Sequence, residues 1–281
     1  MEHAADSAGP DLGGQVALVT GGGRGLGRAF AEALASAGAS VAVVARTQSQ
    51  LDTTVQGIRA AGGCAVAGRA DVTDRVAVDR LIGQVEQDIG PVDILVNNAG
   101  VLEPMGHDWE TDPDAWWLLM EVNVRGPYLF ARATLPGMIA RRRGRIINVS
   151  SQAAHEVHTQ FAAYCASKAA LSHWTRTLAA AVREFGVAVF ALEPWARTAM
   201  TQAIARHEGL PAEARHELSA ALETQGDQRL QQSVATLVYL ASGKADGMTG
   251  RHVRWSDSLD DLAGRVEEIR RHDLHTIRLC V

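Results

Sequence analysis

Tyr164 and Lys168 stand four residues apart in a run from about Phe161 to Glu184 that reads as one long helix, so their side chains share a helix face. A free phenol titrates near ~10 and is a poor proton donor or acceptor at neutral pH. A fixed cation beside it favours the phenolate and lowers that pKa toward the range useful for acid/base work. Taken alone, the pair equally describes a packed ring beside a solvated Lys, so its meaning depends on what surrounds it.

A second group of residues suits a phosphate. Thr20-Gly21-Gly22-Gly23-Arg24-Gly25-Leu26-Gly27 follows the apolar run Val16–Val19 and opens a helix expected from about Gly25 to Ala37. Its glycines, spaced Gly21-x3-Gly25-x-Gly27, let the backbone turn sharply and approach a pyrophosphate, while the helix N-terminus offers N–H donors. The next strand ends at Ala45 and is followed by Arg46, where an NAD site usually places Asp or Glu against the ribose 2′-hydroxyl. A carboxylate there would repel a 2′-phosphate, whereas Arg46 and Arg24 can grip it. The expected cofactor is therefore NADP(H) rather than NAD(H). The competing reading leaves both arginines as solvated surface groups.

These groups need a frame that brings them together. Apolar runs at Val16–Val19, Val41–Ala45, Ala65–Ala67, Ile94–Val96, Arg145–Val149 and Val187–Leu192 alternate with helical patterns. Strands apolar on both faces and separated by helices predict a parallel sheet covered on both sides. The expected fold is α/β, a doubly wound parallel sheet of Rossmann type in three layers, with ligands at the carboxyl ends of the strands. A single catalytic domain is expected over residues 15–257. Within it, residues 199–227 carry no strand signal and read either as a helical lid or as an inserted surface helix pair. Residues 258–281 form a C-terminal extension with Leu259, Leu262, Val266 and Ile269 at near-helical spacing. Met1 to Gly14 reads as a short disordered tail rather than a signal peptide.

Composition narrows the class. The chain has 281 residues, 47% of them hydrophobic, enough for one substantial core. A formal net charge of −5 offers no footprint for nucleic acid. Arg141-Arg142-Arg143 is read as complementing a helix dipole. Three widely spaced cysteines suggest no disulfide framework and suit a reducing, cytoplasmic setting. No run approaches the ~18–20 apolar residues of a membrane span.

With these motifs in order, the chain resembles the short-chain dehydrogenase/reductase family. The likeness rests on Thr20-Gly21-x3-Gly25-x-Gly27, Asp71-Val72, Asn97-Asn98-Ala99-Gly100, Asn123, Ser150-Ser151 and Tyr164-x3-Lys168, and covers roughly Gln15 to Thr198. It implies that Ser151, Tyr164, Lys168 and Asn123 are catalytic. Tyr164 would exchange a proton with the substrate oxygen, Ser151 would hold that oxygen, and Lys168 would lower the Tyr pKa. Asn123, just before a helix-breaking Pro127, would order a water leading from Lys168 to solvent. Thr20, Gly21, Arg24, Gly25, Leu26, Gly27, Arg46, Asp71, Val72, Asn98, Ala99, Gly100, Tyr164, Lys168, Pro194 and Thr198 would bind the cofactor, Asp71 through the adenine amine. The implied reaction is hydride transfer between NADP(H) and a ketone or secondary alcohol. A 3-oxoacyl thioester reductase is the closest rival among enzymes, and a non-catalytic nucleotide-sensing protein the rival outside them.

Two departures stand out. Trp195 follows Pro194 where the family commonly has Gly, and the usual Gly-Gly end of the last strand is replaced by a chain that runs on past Asp257. The likeness implies a homodimer or homotetramer and a small-molecule substrate. His155, Phe161 and Trp195 are candidates to line that substrate's site. His155-x2-His158 lacks evident further ligands, so no metal is expected. Trp109, Trp116 and Trp117 are read as packing residues.

Overall fold

The computed structural model describes residues 11–276. Seven strands, β1 (Val16–Thr20), β2 (Ser40–Ala45), β3 (Cys64–Arg69), β4 (Ile94–Asn97), β5 (Gly144–Val149), β6 (Val187–Glu193) and β7 (His252–Arg254), form one sheet in the order β3-β2-β1-β4-β5-β6-β7. Every neighbouring pair is parallel. The expected doubly wound fold is thus the observed one. The order reverses between β1 and β4, the place where open α/β sheets bind ligands.

Alternation along each strand divides the interior in two. Ala17 and Val19 of β1 face one layer while Val16 and Leu18 face the other. The first layer holds α1 (Gly25–Ser36), α2 (Gln48–Ala60) and the end of the long α8 (Ala212–Ala241), with Phe30, Leu51 and Leu240 fully buried. The second holds α3 (Arg75–Asp88), α5 (Gly126–Arg141) and α6 (Ala162–Val182), with Phe130 and Met138 fully buried. α6 buries Tyr164, Ser167, Lys168, Leu171, Thr175, Ala179 and Val182, a stripe at helical spacing. Buried amides fix that helix on the sheet. Asn97 Nδ2 donates to Asn148 Oδ1, and Asn148 Nδ2 to Thr175 Oγ1, each at 2.8 Å.

Several expectations change in detail. Residues 1–10 of the expected tail lie outside the described residues; of 11–14, Leu12 is fully buried and its N–H donates to the Ala37 carbonyl, while the other three are exposed. One apolar side chain just before a glycine turn is too short a signal to read. Pro127 does not break its helix. α4 (Pro113–Met120) runs through a π-helical turn, Glu121–Arg125, directly into α5, so the chain stays helical on both sides of Pro127, which follows the wider turn. Arg141 and Arg143 serve more than a dipole: their guanidiniums lie 3.6 and 2.9 Å from the buried Asp93. Trp109 and Trp117 are exposed rather than packed, 79% and 61%; of the three, Trp116 alone joins an apolar cluster.

Residues 199–227 are helical, divided between α7 (Ala199–Arg206) and the first half of α8. The extension forms two short helices, α9 (Leu259–Gly264) and α10 (Val266–Arg271), instead of one. Leu262 and Ile269 bury against this domain's own core. No helix of the described residues is long and apolar enough to cross a membrane.

Candidate active site

A cleft of about 750 Å3 opens at the carboxyl ends of β1, β2, β4, β5 and β6. One wall is the glycine loop. Gly21 has φ +66°, a conformation that disfavours any side chain. A Cβ at Gly27 would fall 2.3 Å from the Gly21 carbonyl oxygen and 2.4 Å from Asn98 Nδ2, so no other residue fits between loop and sheet. Among the described residues no side chain caps α1, and Gly25, Leu26 and Gly27 border the cleft. That arrangement has the donors and the close approach that a dinucleotide pyrophosphate requires. Asn98 braces it, donating from Nδ2 to the Thr20 carbonyl at 2.9 Å.

Arg24 and Arg46 stand at the same end. Arg46 is well exposed and its guanidinium lies 3.7 Å from Asp71. Burial pushes the Asp71 carboxyl up, but the Thr73 N–H and hydroxyl, helped by Arg46, hold it below the usual carboxylate range.

At the other end, Ser151, Tyr164 and Lys168 converge. Tyr164 is only 8% exposed, in a cluster with Leu102 and Phe161. Burial raises its phenol to about 12, against a hydrogen bond with Ser151 that works the other way. The expected lowering by Lys168 is not among the influences on this phenol, on which desolvation is the largest. Lys168 Nζ lies 5.5 Å from the Tyr164 ring centroid and donates to the Val149 carbonyl at 2.8 Å. Burial lowers its ammonium to about 8. Ser150 also borders the cleft, but its hydroxyl is taken by Ser172 at 2.7 Å, which leaves Ser151 as the hydroxyl beside Tyr164.

These shifts carry a stability signature. Lys168 is depressed below its unfolded value, so between about pH 8 and 10.5 the unfolded chain binds the extra proton and stability rises with pH. Tyr164 is raised, so between about pH 10 and 12 the folded chain keeps a proton the unfolded chain loses, and stability falls. We expect Lys168→Met to remove a rise on the order of 3 kcal/mol across the first window. Denaturant titrations at pH 8 and 10 read it, and parallel pH profiles for parent and variant would contradict it.

Not every expected residue reaches the cleft. Thr20 is buried and works as a joint, its Oγ1 accepting from the Asn98 and Ala99 N–H groups at 3.0 Å each. Asn123 is fully buried in the π-helical turn. Its side chain accepts from Val101 N–H and donates to the Val101 carbonyl and Ser167 Oγ. Both amide hydrogens are thus used, and the side chain clamps Val101 to α6. Asn123→Ala, which empties that clamp, is expected to lower the melting temperature by several degrees; an unchanged melting curve would count against it.

The three substrate-lining candidates also fall elsewhere. Trp195 turns away from the cleft: the Arg229 guanidinium lies 4.3 Å from its ring centroid and 5.0 Å from that of Trp255. Its N–H and carbonyl both bond Ser233 Oγ at 2.9 Å. Its φ is not left-handed, so this turn does not need the usual glycine. Phe161 is buried behind Tyr164. His155 bonds Glu193 at 3.0 Å. Thr198 does reach the cleft; it caps α7 through the Thr201 N–H and lies about 4.0 Å from where a Gly25 Cβ would be. Met200 and Ile204 of α7 line the cleft unforeseen, though their i,i+4 spacing is a readable sign of one apolar face. Gln50 and Arg197 line it without any such signal.

The family profile described as short chain dehydrogenase matches residues 15–209. A short chain dehydrogenase of Pseudocercospora fijiensis is 48% identical over 185 residues, covering 65% of this chain; the chain spans 60% of that protein's length. Among solved structures, a single-substitution variant of actinorhodin polyketide ketoreductase with NADPH has a TM-score of 0.79 and 30% identity, covering 85% of this chain and 95% of that one. NAD+-bound xylitol dehydrogenase has a TM-score of 0.78 over 86% and 98%, and at 24% identity bears on the fold alone.

Proposed function

Since the chain belongs to the short-chain dehydrogenase/reductase family, we propose that it transfers a hydride between NADP(H) and a small ketone or secondary alcohol. The observation that carries this reading is one cleft with two unlike ends: Ser151, Tyr164 and Lys168 at one, Arg24 and Arg46 beside the glycine loop at the other. A nicotinamide cofactor supplies or accepts the hydride; the protein binds, aligns and polarises.

In the reductive direction Tyr164 gives its proton to the substrate oxygen as charge develops there. A phenol held near about 12 is fully protonated at neutral pH, the form a donor needs. Ser151 hydrogen bonds the same oxygen and fixes its place beside the phenol. Lys168, a buried cation anchored by the Val149 carbonyl, stabilises the phenolate left behind. Asn123 keeps α6 in register with the loop at Val101. Arg24 and Arg46 answer a 2′-phosphate, with no carboxylate at the end of β2 to repel it. The wall that Met200 and Ile204 present beyond Tyr164 suits an apolar flank on the substrate.

Fluorescence titration with NADPH and NADH at fixed salt is the direct test. The expected result is tighter binding of NADPH. Equal affinities would remove the 2′-phosphate assignment, and binding of neither would remove the enzyme reading.

A further inference from the structure

A buried cluster beyond the cleft uses residues that the proposed reaction leaves idle. Glu193 closes β6 with its side chain 8% exposed. One of its oxygens, Oε2, lies 2.9 Å from Nε2 of His252 and 3.0 Å from Nε2 of His155. The three residues arrive from different places. His155 follows the 3-10 turn after β5, Glu193 ends β6 and His252 begins β7. In the β6–β7 register Ala191 opposes His252, so Glu193 and His252 project from one sheet face as diagonal neighbours. The two imidazoles meet edge to face with centroids 5.6 Å apart. All three ligand atoms lie within 4.8 Å of one another.

We propose that His155, Glu193 and His252 form a site for a divalent transition-metal ion, zinc in preference to calcium or magnesium. Two imidazole nitrogens and one carboxylate oxygen are a zinc donor set, with a fourth position left for water. Calcium and magnesium favour oxygen ligands throughout. Around a tetrahedral ion with bonds of about 2.0–2.1 Å, neighbouring ligand atoms stand about 3.3 Å apart. The observed 2.9 and 3.0 Å carboxylate–imidazole separations need a few tenths of an ångström to open, and the two imidazole nitrogens, within 4.8 Å of each other, settle to the same spacing through the loop that carries His155.

The surroundings suit that use. His155 is 36% exposed, a way in from solvent, while Glu193 and His252 make a buried floor. The buried Nδ1 of His252 has no hydrogen-bond partner among the described residues. A cavity of about 40 Å3 is bordered by His252 and Ser172, room for one water that would accept from Nδ1–H. Such an outer partner fixes the tautomer that leaves Nε2 free for metal. None of the three ligands lines the cleft, so the ion is not part of the hydride chemistry. It would tie the loop after Ser151 to the turn at Pro194, and Ser151 and Pro194 themselves border the cleft.

The test uses the untagged 281-residue chain, dialysed against zinc chloride and analysed for bound metal, with cobalt(II) chloride as an optical probe. The expected result is one zinc per chain and a visible cobalt absorption that zinc displaces. Changes in the outer shell alone cost about 10–100-fold in metal affinity, so losing a ligand in His155→Ala should cost about 100-fold or more. His155 sits on a part-exposed loop, and circular dichroism with NADPH titration establishes that the variant is folded. Glu193→Gln, which keeps shape and removes charge, should weaken zinc similarly. No stoichiometric zinc or cobalt binding to the parent, or binding by folded His155→Ala equal to the parent's, would overturn the proposal and leave a metal-free hydrogen-bonded triad.

Discussion

Replacing Tyr164 with Phe is expected to lower kcat/KM for ketone reduction by about 10²–10⁴-fold or more, the range that one positioned proton donor contributes, while NADPH affinity stays within about twofold. The two parts of that result separate chemistry from packing. The Tyr164 ring is buried against Leu102 and Phe161, and Phe preserves that contact. Only the hydroxyl is lost. The buried phenol titrates at about 12, so the parent keeps its donor throughout the neutral range. The alkaline limit of reduction should instead follow Lys168, whose ammonium titrates at about 8: activity falls as pH rises through that value and the cation that stabilises the phenolate disappears. A Tyr164→Phe protein retaining more than about a tenth of parental kcat/KM would remove the phenol from the mechanism.

Replacing Arg46 with Asp should weaken NADPH by about 100-fold and NADH by no more than about threefold. Two effects add. The guanidinium that meets a 2′-phosphate is lost, worth about 1.5–3 kcal/mol as charge-assisted hydrogen bonding, and a carboxylate that repels the phosphate takes its place. Exposure reduces the first effect through solvent screening, for the Arg46 side chain is 73% exposed. The second restores the acidic end of β2 that suits a free ribose hydroxyl. Raising salt should narrow the gap in the parent, because exposed charges are screened. Equal weakening of both nucleotides would place Arg46 outside the 2′-phosphate site.

Much of the frame was legible because its signals are local. Strands such as Val41–Val44 are apolar on both faces and only a doubly covered parallel sheet can bury them. Tyr164 and Lys168 share a face by helix geometry alone. A glycine loop between a strand and a helix implies close backbone approach, and the Cβ clash at Gly27 is its physical reason. The expected catalytic and cofactor-binding residues accordingly border one cleft, except Thr20 and Asn123, whose side chains are spent on joints between neighbouring elements.

What could not be read depends on contacts between distant segments. From its position after Pro194, Trp195 reads either as lining the substrate cleft or as a packing residue; α8 decides between them by presenting Ser233 and Arg229 to it. The direction of the shift at Tyr164 is likewise tertiary, since its largest cause is burial, which depends on everything packed around the ring. By spacing His155 belongs with His158, three residues on, yet it pairs with Glu193 and, through it, with His252. Sequence determined the sheet, the phosphate loop and the Tyr–Lys face, because hydrophobic period and helical pitch act over a few residues. Tertiary structure alone decided which side chains share a buried carboxylate, because the ends of β5, β6 and β7 become neighbours only when the sheet assembles.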